Sequence, residues 1–435
     1  MFKNNKERTH IFLQDCTIST ILGISFFKWV FISSIVGILT GIAGTLFLKS
    51  LELATDLRLN NPWLLFLLPA GGAFVSFLYS NYGENSSRGN NLIIDKINEN
   101  EDNIPLRMAP LVFLGTFITH LFGGSAGREG TGVQIGASIS EGVGRLFKLD
   151  KLDTKIILMC GISSGFASVF GTPLAGTVFG LEVAALGAMN YSGLIPCFTA
   201  AFVGNWVTEL LGIHHSHYKI LDIPNLAPDI VLKVIIASII FGLISKLFSE
   251  LIHKLKEIFS SAFENTSLKS AIGGVIIILL TYVFGTRDYL GLSIPLINDS
   301  FTSQVSPFAF LNKLIFTTLT LGSGFQGGEV TPLFVIGSTL GNALSNFLNI
   351  SPSFLACLGL IGVFCGATNS PIASFILGIE MFGSQGSQYM FMACAVSYLF
   401  SGHSGIYIAQ KISTSKSKLI KIPNGATLSH FLKKK

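Results

Sequence analysis

Charge is what this 435-residue sequence has least of: Asp, Glu, Lys and Arg supply 12% of it, about half their share in an ordinary soluble domain. So few charges cannot dress a chain of this size for water, and 49% of its residues are apolar. Also missing are the roughly 10-residue alternations of apolar and polar residues that would build a lipid-facing barrel. The runs at 31–48, 63–78, 109–122, 234–244, 271–284 and 389–400 are apolar on both faces instead. Several approach the roughly 17–25 residues with which a helix crosses a bilayer. The fold class that follows is an all-α polytopic membrane protein.

Other absences narrow the chemistry. Six cysteines (Cys16, Cys160, Cys197, Cys357, Cys365 and Cys394) have no C-x-x-C spacing, so they read as packing residues rather than a disulfide framework or zinc site. There is no H-E-x-x-H, and no Ser/His or paired-Asp constellation stands in the apolar segments, which argues against an intramembrane hydrolase. His214, His215 and His217 cluster in a polar connection with no carboxylate within a helical turn, a wet loop rather than a metal site. The chain therefore reads as a non-enzyme without a cofactor. No basic stripe with interleaved aromatics suggests nucleic acid.

The net charge of +5 gathers at the ends, in Lys3, Lys6 and Arg8 and in Lys411, Lys416, Lys418, Lys421 and Lys433 to Lys435. This bias points to two cytoplasmic termini on a multi-pass protein of a bacterial inner membrane. No cleavage site marks a signal peptide. The expected organisation is a cytoplasmic segment at 1–20, one membrane transport domain at 21–411 and a basic cytoplasmic tail at 412–435, too short for an appended regulatory domain.

What the sequence does have is duplication. The segment G-S-A-G-R-E-G-T at 124–131 is echoed by G-S-G-F-Q-G-G-E-V-T-P at 322–332, aligning Glu129 with Glu329 at an offset of 329 − 129 = 200. G-T-P-L-A-G-T-V-F-G-L-E at 171–182 is echoed by N-S-P-I-A-S-F-I-L-G-I-E at 369–380, aligning Pro173 with Pro371 at 371 − 173 = 198. Two matches in the same order at nearly one offset imply two repeats, about 21–212 and 230–411, split at the polar stretch 214–229. Transporters are often built this way, with the repeats inverted in the membrane.

Many apolar stretches are broken by Gly and Pro, at 123–136, 161–180, 322–337 and 362–378. In lipid, broken helices survive only where they are buried or line a watery cavity. A helix starting after a glycine turn offers free N–H groups and a positive dipole end, and so suits an anion. Gly37 and Gly41 read as simple helix packing. Glu129 and Glu329 stand at equivalent points in these segments. A carboxylate there is costly and marks a proton or ion route, whereas Glu182 and Glu380, ending apolar runs, read as interfacial or structural.

Taken together, Gly127-Arg128-Glu129-Gly130, the Gly327-Gly328-x-x-x-Pro332 segment, the repeated Pro-Leu/Ile-Ala segments and Gly405-Ile406-Tyr407 resemble the CLC family of anion channels and proton-coupled antiporters, from about Phe31 to Lys411. The resemblance implies a homodimer with one anion pathway per subunit and a gating glutamate at Glu129. It also implies a hydroxyl at Tyr407 facing the anion, with the backbone amides of Arg128, Gly130, Glu329 and Val330 approaching it.

Departures from the chloride-carrying members fall on the anion and proton positions. Where those members have a serine turn, this sequence has Gly89-Asn90-Asn91-Leu92-Ile93; Thr131 replaces a proline; Glu329 and Thr331 enter the second-half motif; and Val183 stands where an internal proton glutamate is expected. These substitutions resemble the fluoride-exporting branch. Fluoride holds its water tightly, so its site needs several strong donors: the Asn90 amide offers two N–H groups and Thr331 a further hydroxyl. The implied activity is secondary active fluoride/proton antiport across the cell membrane, with Glu129 and Glu329 transferring protons. The alternative is a chloride/proton antiporter or chloride channel of the same fold.

Overall fold

A computed structural model describes residues 3–98, 103–215, 218–423 and 425–432, with no account of the side chains of residues 3–16. The basic side chains of Lys3, Lys6 and Arg8, and Lys433 to Lys435, fall outside the described residues, as does His217.

The first half runs α1 (Lys3–Asn60), α2 (Leu68–Tyr82), α3 (Asn90–Ile97), α4 (Met108–Leu121), α5 (Glu129–Leu146), α6 (Lys151–Phe170), α7 (Pro173–Glu182) and α8 (Leu194–Leu210). The second repeats the order with α9 (Pro228–Ala262), α10 (Thr266–Phe284), α11 (Ile294–Thr302), α12 (Ala309–Gly322), α13 (Val330–Leu348), α14 (Pro352–Thr368), α15 (Pro371–Phe382) and α16 (Ser387–Phe400). Among the described residues, five helical stretches are long and apolar enough to cross a membrane, within α1, 62–82, α6, α9 and α10. Helix α1 passes unbroken through residues 20 and 21, where the cytoplasmic segment was expected to end, because nothing there interrupts it.

Local signals explain the helix ends. The Asp150 carboxylate accepts from the amides of Leu152 and Asp153 to start α6, and Gly171 in the left-handed region stops it. Asn265 and Gly285 do the same for α10. Proline opens α7, α9, α14 and α15, where its missing N–H costs nothing. The polar interruption at 81–103 contains a helix, α3, that brings Asn90 to the middle of the protein.

Packing is by close backbone approach, as expected where lipid offers no hydrophobic drive between helices. A Cβ on Gly136 of α5 would lie 2.2 Å from the Gly161 carbonyl of α6, and one on Gly337 of α13 would lie 2.2 Å from the Gly359 carbonyl of α14. These are equivalent places in the two repeats. Gly37 and Gly41 of α1 sit as tightly on α8, with Cβ positions 2.8 and 2.7 Å from the carbonyls of Ala200 and Gly204. Helix α14 is buried all round from Ser353 to Thr368, at the centre of the core.

The repeats are also joined by charge. The Glu182 carboxylate at the end of α7 accepts from Ile372 N (3.2 Å) and Ala373 N (2.8 Å) at the start of α15. Reciprocally, Glu380 at the end of α15 accepts from Leu174 N (2.9 Å) and Ala175 N (2.8 Å) at the start of α7. Each helix thus receives its N-terminal anion from the other repeat. Past Tyr407 the chain stays docked: β2 (Lys411–Ile412) pairs in parallel with β1 (Ala185–Leu186), and Lys416 Nζ donates to Asn369 Oδ1 (2.6 Å), Tyr398 O (2.7 Å) and Ser401 Oγ (2.9 Å).

Candidate anion and proton site

The glycine turns before α5 and α13 meet at the centre. Gly127 N donates to Gly328 O at 2.7 Å and Gly328 N donates to Gly127 O at 2.8 Å, an antiparallel bridge between equivalent residues of the two repeats. No side chain fits there: a Cβ on Gly328 would lie 2.7 Å from Gly130 N, and one on Gly127 would lie 2.8 Å from Pro332 Cδ. The turns are reached through Gly123 (φ +91°) and Gly324 (φ +104°), backbone that L side chains rarely adopt. The bridge therefore sets the N-termini of α5 and α13 head to head, two positive dipole ends directed at one place.

A carboxylate fills that place. Glu129 is 1% exposed. Its Oε2 accepts from Thr331 N (3.0 Å) and Arg128 N (3.2 Å), its Oε1 accepts from the Thr331 hydroxyl, and Arg128 Nε stands 3.6 Å from Oε1. The glutamate of the first repeat thus docks on the helix start of the second. Among the amides expected to approach an anion, Arg128 makes this contact, and Thr331 joins it although sequence reasoning assigned it only a hydroxyl. Thr131 points away, sharing a hydrogen bond with Thr116 at 2.7 Å.

Glu329, Asn90 and Tyr407 line one open cavity of about 830 Å³. A Cβ on Gly130 would be 3.1 Å from Asn90 Nδ2 and 3.6 Å from Glu329 Oε2, so both side chains reach the start of α5. Val330, buried at the first position of α13, completes the group. Asn91 lines the same cavity, but its Oδ1 is engaged, accepting from Ala409 N at 3.1 Å. Val183 is buried, and its carbonyl accepts from Gln410 Nε2 at 2.9 Å, so backbone and amide groups fill the neighbourhood of the absent internal glutamate. His214 and His215 stand in the α8–α9 connection, away from this cavity. Sequence reasoning missed Gln134, whose buried Oε1 is unpartnered in the cavity wall; five residues beyond Glu129 on α5, it falls off the i+3/i+4 spacing of a shared helical face and carried no local signal.

Residues 71–402 match the protein family described as "Voltage gated chloride channel". The chain belongs to this family. A chloride/fluoride channel protein of Pseudomonas syringae pv. tomato is 44% identical to this CLC protein over 89% of this chain and 87% of its own length. A proton/chloride exchange transporter of Vibrio cholerae is 26% identical, covering 82% of each chain. Among solved structures, a CLC-type fluoride/proton antiporter superposes with a TM-score of 0.86 at 36% identity, over 89% of this chain and 98% of its own. A slow cyanobacterial chloride/proton antiporter shares the fold at TM-score 0.77 and 19% identity, over 86% and 94%. The CLC fold and the two-repeat architecture expected from the sequence are those of this protein.

Proposed function

We propose that this CLC protein exports fluoride from the cytoplasm in exchange for protons, as a secondary active antiporter of the bacterial inner membrane. It works as a homodimer with both termini cytoplasmic and one pathway per subunit. The observation that carries this reading is the seating of Glu129 on the donors of Thr331 and Arg128, because anion and carboxylate then compete for one set of N–H and O–H groups. Protonation makes the carboxyl a weaker acceptor and releases it. The vacated helix starts, with the Thr331 hydroxyl and the Asn90 amide, then hold fluoride with several aimed donors in place of its water. Glu329, at the cavity end of the same group, takes the proton onward or waits protonated while the anion is resident. The fluoride/proton antiporter at 36% identity and the chloride/fluoride channel protein at 44% support the choice of ion.

The test is efflux from proteoliposomes holding the purified protein, with fluoride and chloride followed by selective electrodes and internal pH recorded. Fluoride efflux with opposing proton movement and little chloride flux is expected. Chloride flux as large as that of fluoride would overturn the choice of ion, and fluoride flux without proton movement would overturn the antiport.

A further inference from the structure

Gly130, the second residue of α5, leaves its face of the helix bare, and two side chains from other elements come to that spot. Asn90 Nδ2 lies 3.1 Å and Glu329 Oε2 3.6 Å from its Cβ position. Gln134 belongs to the same surface. Four residues further along α5, it shares the face of Gly130, and a helical side chain leans toward the N-terminus of its helix, over the turn before its own. Its amide also packs against the turn that carries Asn90, with Nε2 3.3 Å and Oε1 3.7 Å from the Cβ position of Gly89.

Both amides on this surface bury an oxygen that no donor among the described residues reaches, Gln134 Oε1 and Asn90 Oδ1. The two side chains are 6% and 9% exposed. A buried acceptor without a donor is costly, and neither an anion nor a carboxylate relieves it, because both only accept. An O–H does, and a carboxyl gains one when it is protonated. Glu129 is held by Thr331 and Arg128, so Glu329 is the carboxyl that shares this surface with the amides.

The other titratable groups on the cavity wall do not substitute for it. Glu84 pairs with Arg107, Asp95 pairs with Arg88, and His253 Nε2 donates to Gly405 O at 2.8 Å. Tyr79 and Tyr407 bring hydroxyls that keep their protons at neutral pH. Lys256 of α9 and Lys269 of α10 line the same wall and favour the ionised form of Glu329. A proton held on Glu329 therefore needs an acceptor of its own.

We propose that Gln134 is the positioning residue for the protonated state of Glu329. Its Oε1 accepts the Glu329 O–H and keeps the proton on that carboxyl, while Asn90 Nδ2 and the helix starts serve the anion. On ionisation the hydrogen bond is lost and oxygen faces oxygen, which drives the carboxylate off the face of α5. This rests on the fluoride/proton reading above and deepens it by naming what holds the proton on Glu329.

The hydrogen bond is read by infrared difference spectra of the purified protein between low and high pH, where the Glu329 carboxyl band is the one that Glu329→Gln removes. In Gln134→Met, which keeps the length of the side chain without its acceptor, this band is expected to move to higher frequency. Should that variant not fold, Gln134→Asn withdraws the oxygen by one carbon and is expected to give the same shift. In proteoliposomes, the proton concentration for half-maximal anion flux should rise about fivefold in Gln134→Met, the worth of one hydrogen bond. It should fall in Gln134→Glu, whose second carboxyl shares the proton; a merely structural role would not move the two variants in opposite directions. A Glu329 band unmoved by Gln134→Met, or no band that Glu329→Gln removes, would overturn the proposal. So would a KM for the anion raised equally at every pH with an unmoved proton dependence, which would make the amide a donor to the anion. The infrared measurement needs no transport, so it tests the hydrogen bond separately from the choice of ion and from the antiport.

Discussion

Thr331 of the second repeat holds Glu129 of the first through both its backbone N–H and its hydroxyl. One residue thereby presents two donors to one carboxylate across 202 positions of sequence, and the contact exists only because the Gly127–Gly328 bridge brings the two helix starts together. On the proposed reading the gate and the anion site are the same set of atoms, which would couple a proton to an anion.

Asn90 and Asn91 are neighbours with separate tasks. The Asn90 amide reaches the start of α5, whereas Asn91 holds Ala409 N. Asn90→Ala is expected to weaken fluoride binding by about tenfold, the worth of one to two hydrogen bonds, measured by calorimetric titration. Asn91→Ala is expected to lower thermal stability in detergent while leaving fluoride affinity within about twofold.

Glu182 and Glu380 cap each other's helices. Replacing either with Ala leaves two amide groups without their acceptor and is expected to destabilise the protein by about 1–3 kcal/mol, seen as a lower unfolding midpoint. Their Gln variants should recover part of this, since the amide oxygen still accepts.

The bridge tolerates no methyl group. Gly328→Ala would put Cβ 2.7 Å from Gly130 N and 3.2 Å from Glu129 N. It is expected to cost about 1–3 kcal/mol through overpacking and to abolish proton-coupled flux, read in the same unfolding and efflux assays.

The docked tail depends on pH through Lys416. Burial lowers the pKa of its amine from 10.5 to about 7, so docking expels a proton and is favoured as pH rises from 7 towards 10.5. As pH falls through that window the docked state loses ground by up to about tenfold per unit; below 7 both states are protonated and the effect stops. Limited proteolysis at residues 417–423 should quicken between pH 9 and pH 7 in wild type, and Lys416→Met should remove this dependence.

A carboxylate in an apolar, glycine-broken segment is conspicuous, which singled out Glu129 and Glu329; the paired Gly127 and Gly328 and the two helix starts, however, register the repeats at an offset of 328 − 127 = 201, placing Glu129 opposite Val330 and Glu329 opposite Arg128. Sequence reading could not give Glu129 its partner. Contacts across an inverted pair of repeats join residues such as Thr331 and Glu129, or Glu182 and Ala373, whose sequence separation carries no local signal. Composition likewise made the segment 412–435 a basic tail, whereas Lys416 is inserted among the ends of α14 and α16. The helix α3 was hidden because its eight residues lie in a stretch dense in Asn, Glu and Ser. Its burial comes from tertiary contacts that propensity does not record.

The central claim is that one carboxyl at Glu129 serves as gate and proton carrier. Glu129→Gln keeps the size of the side chain and removes its titration. In proteoliposomes with an outward fluoride gradient, wild type should draw protons inward as fluoride leaves, and the variant should move none at any fluoride flux it retains. Proton movement at the wild-type ratio to fluoride in Glu129→Gln would contradict the account.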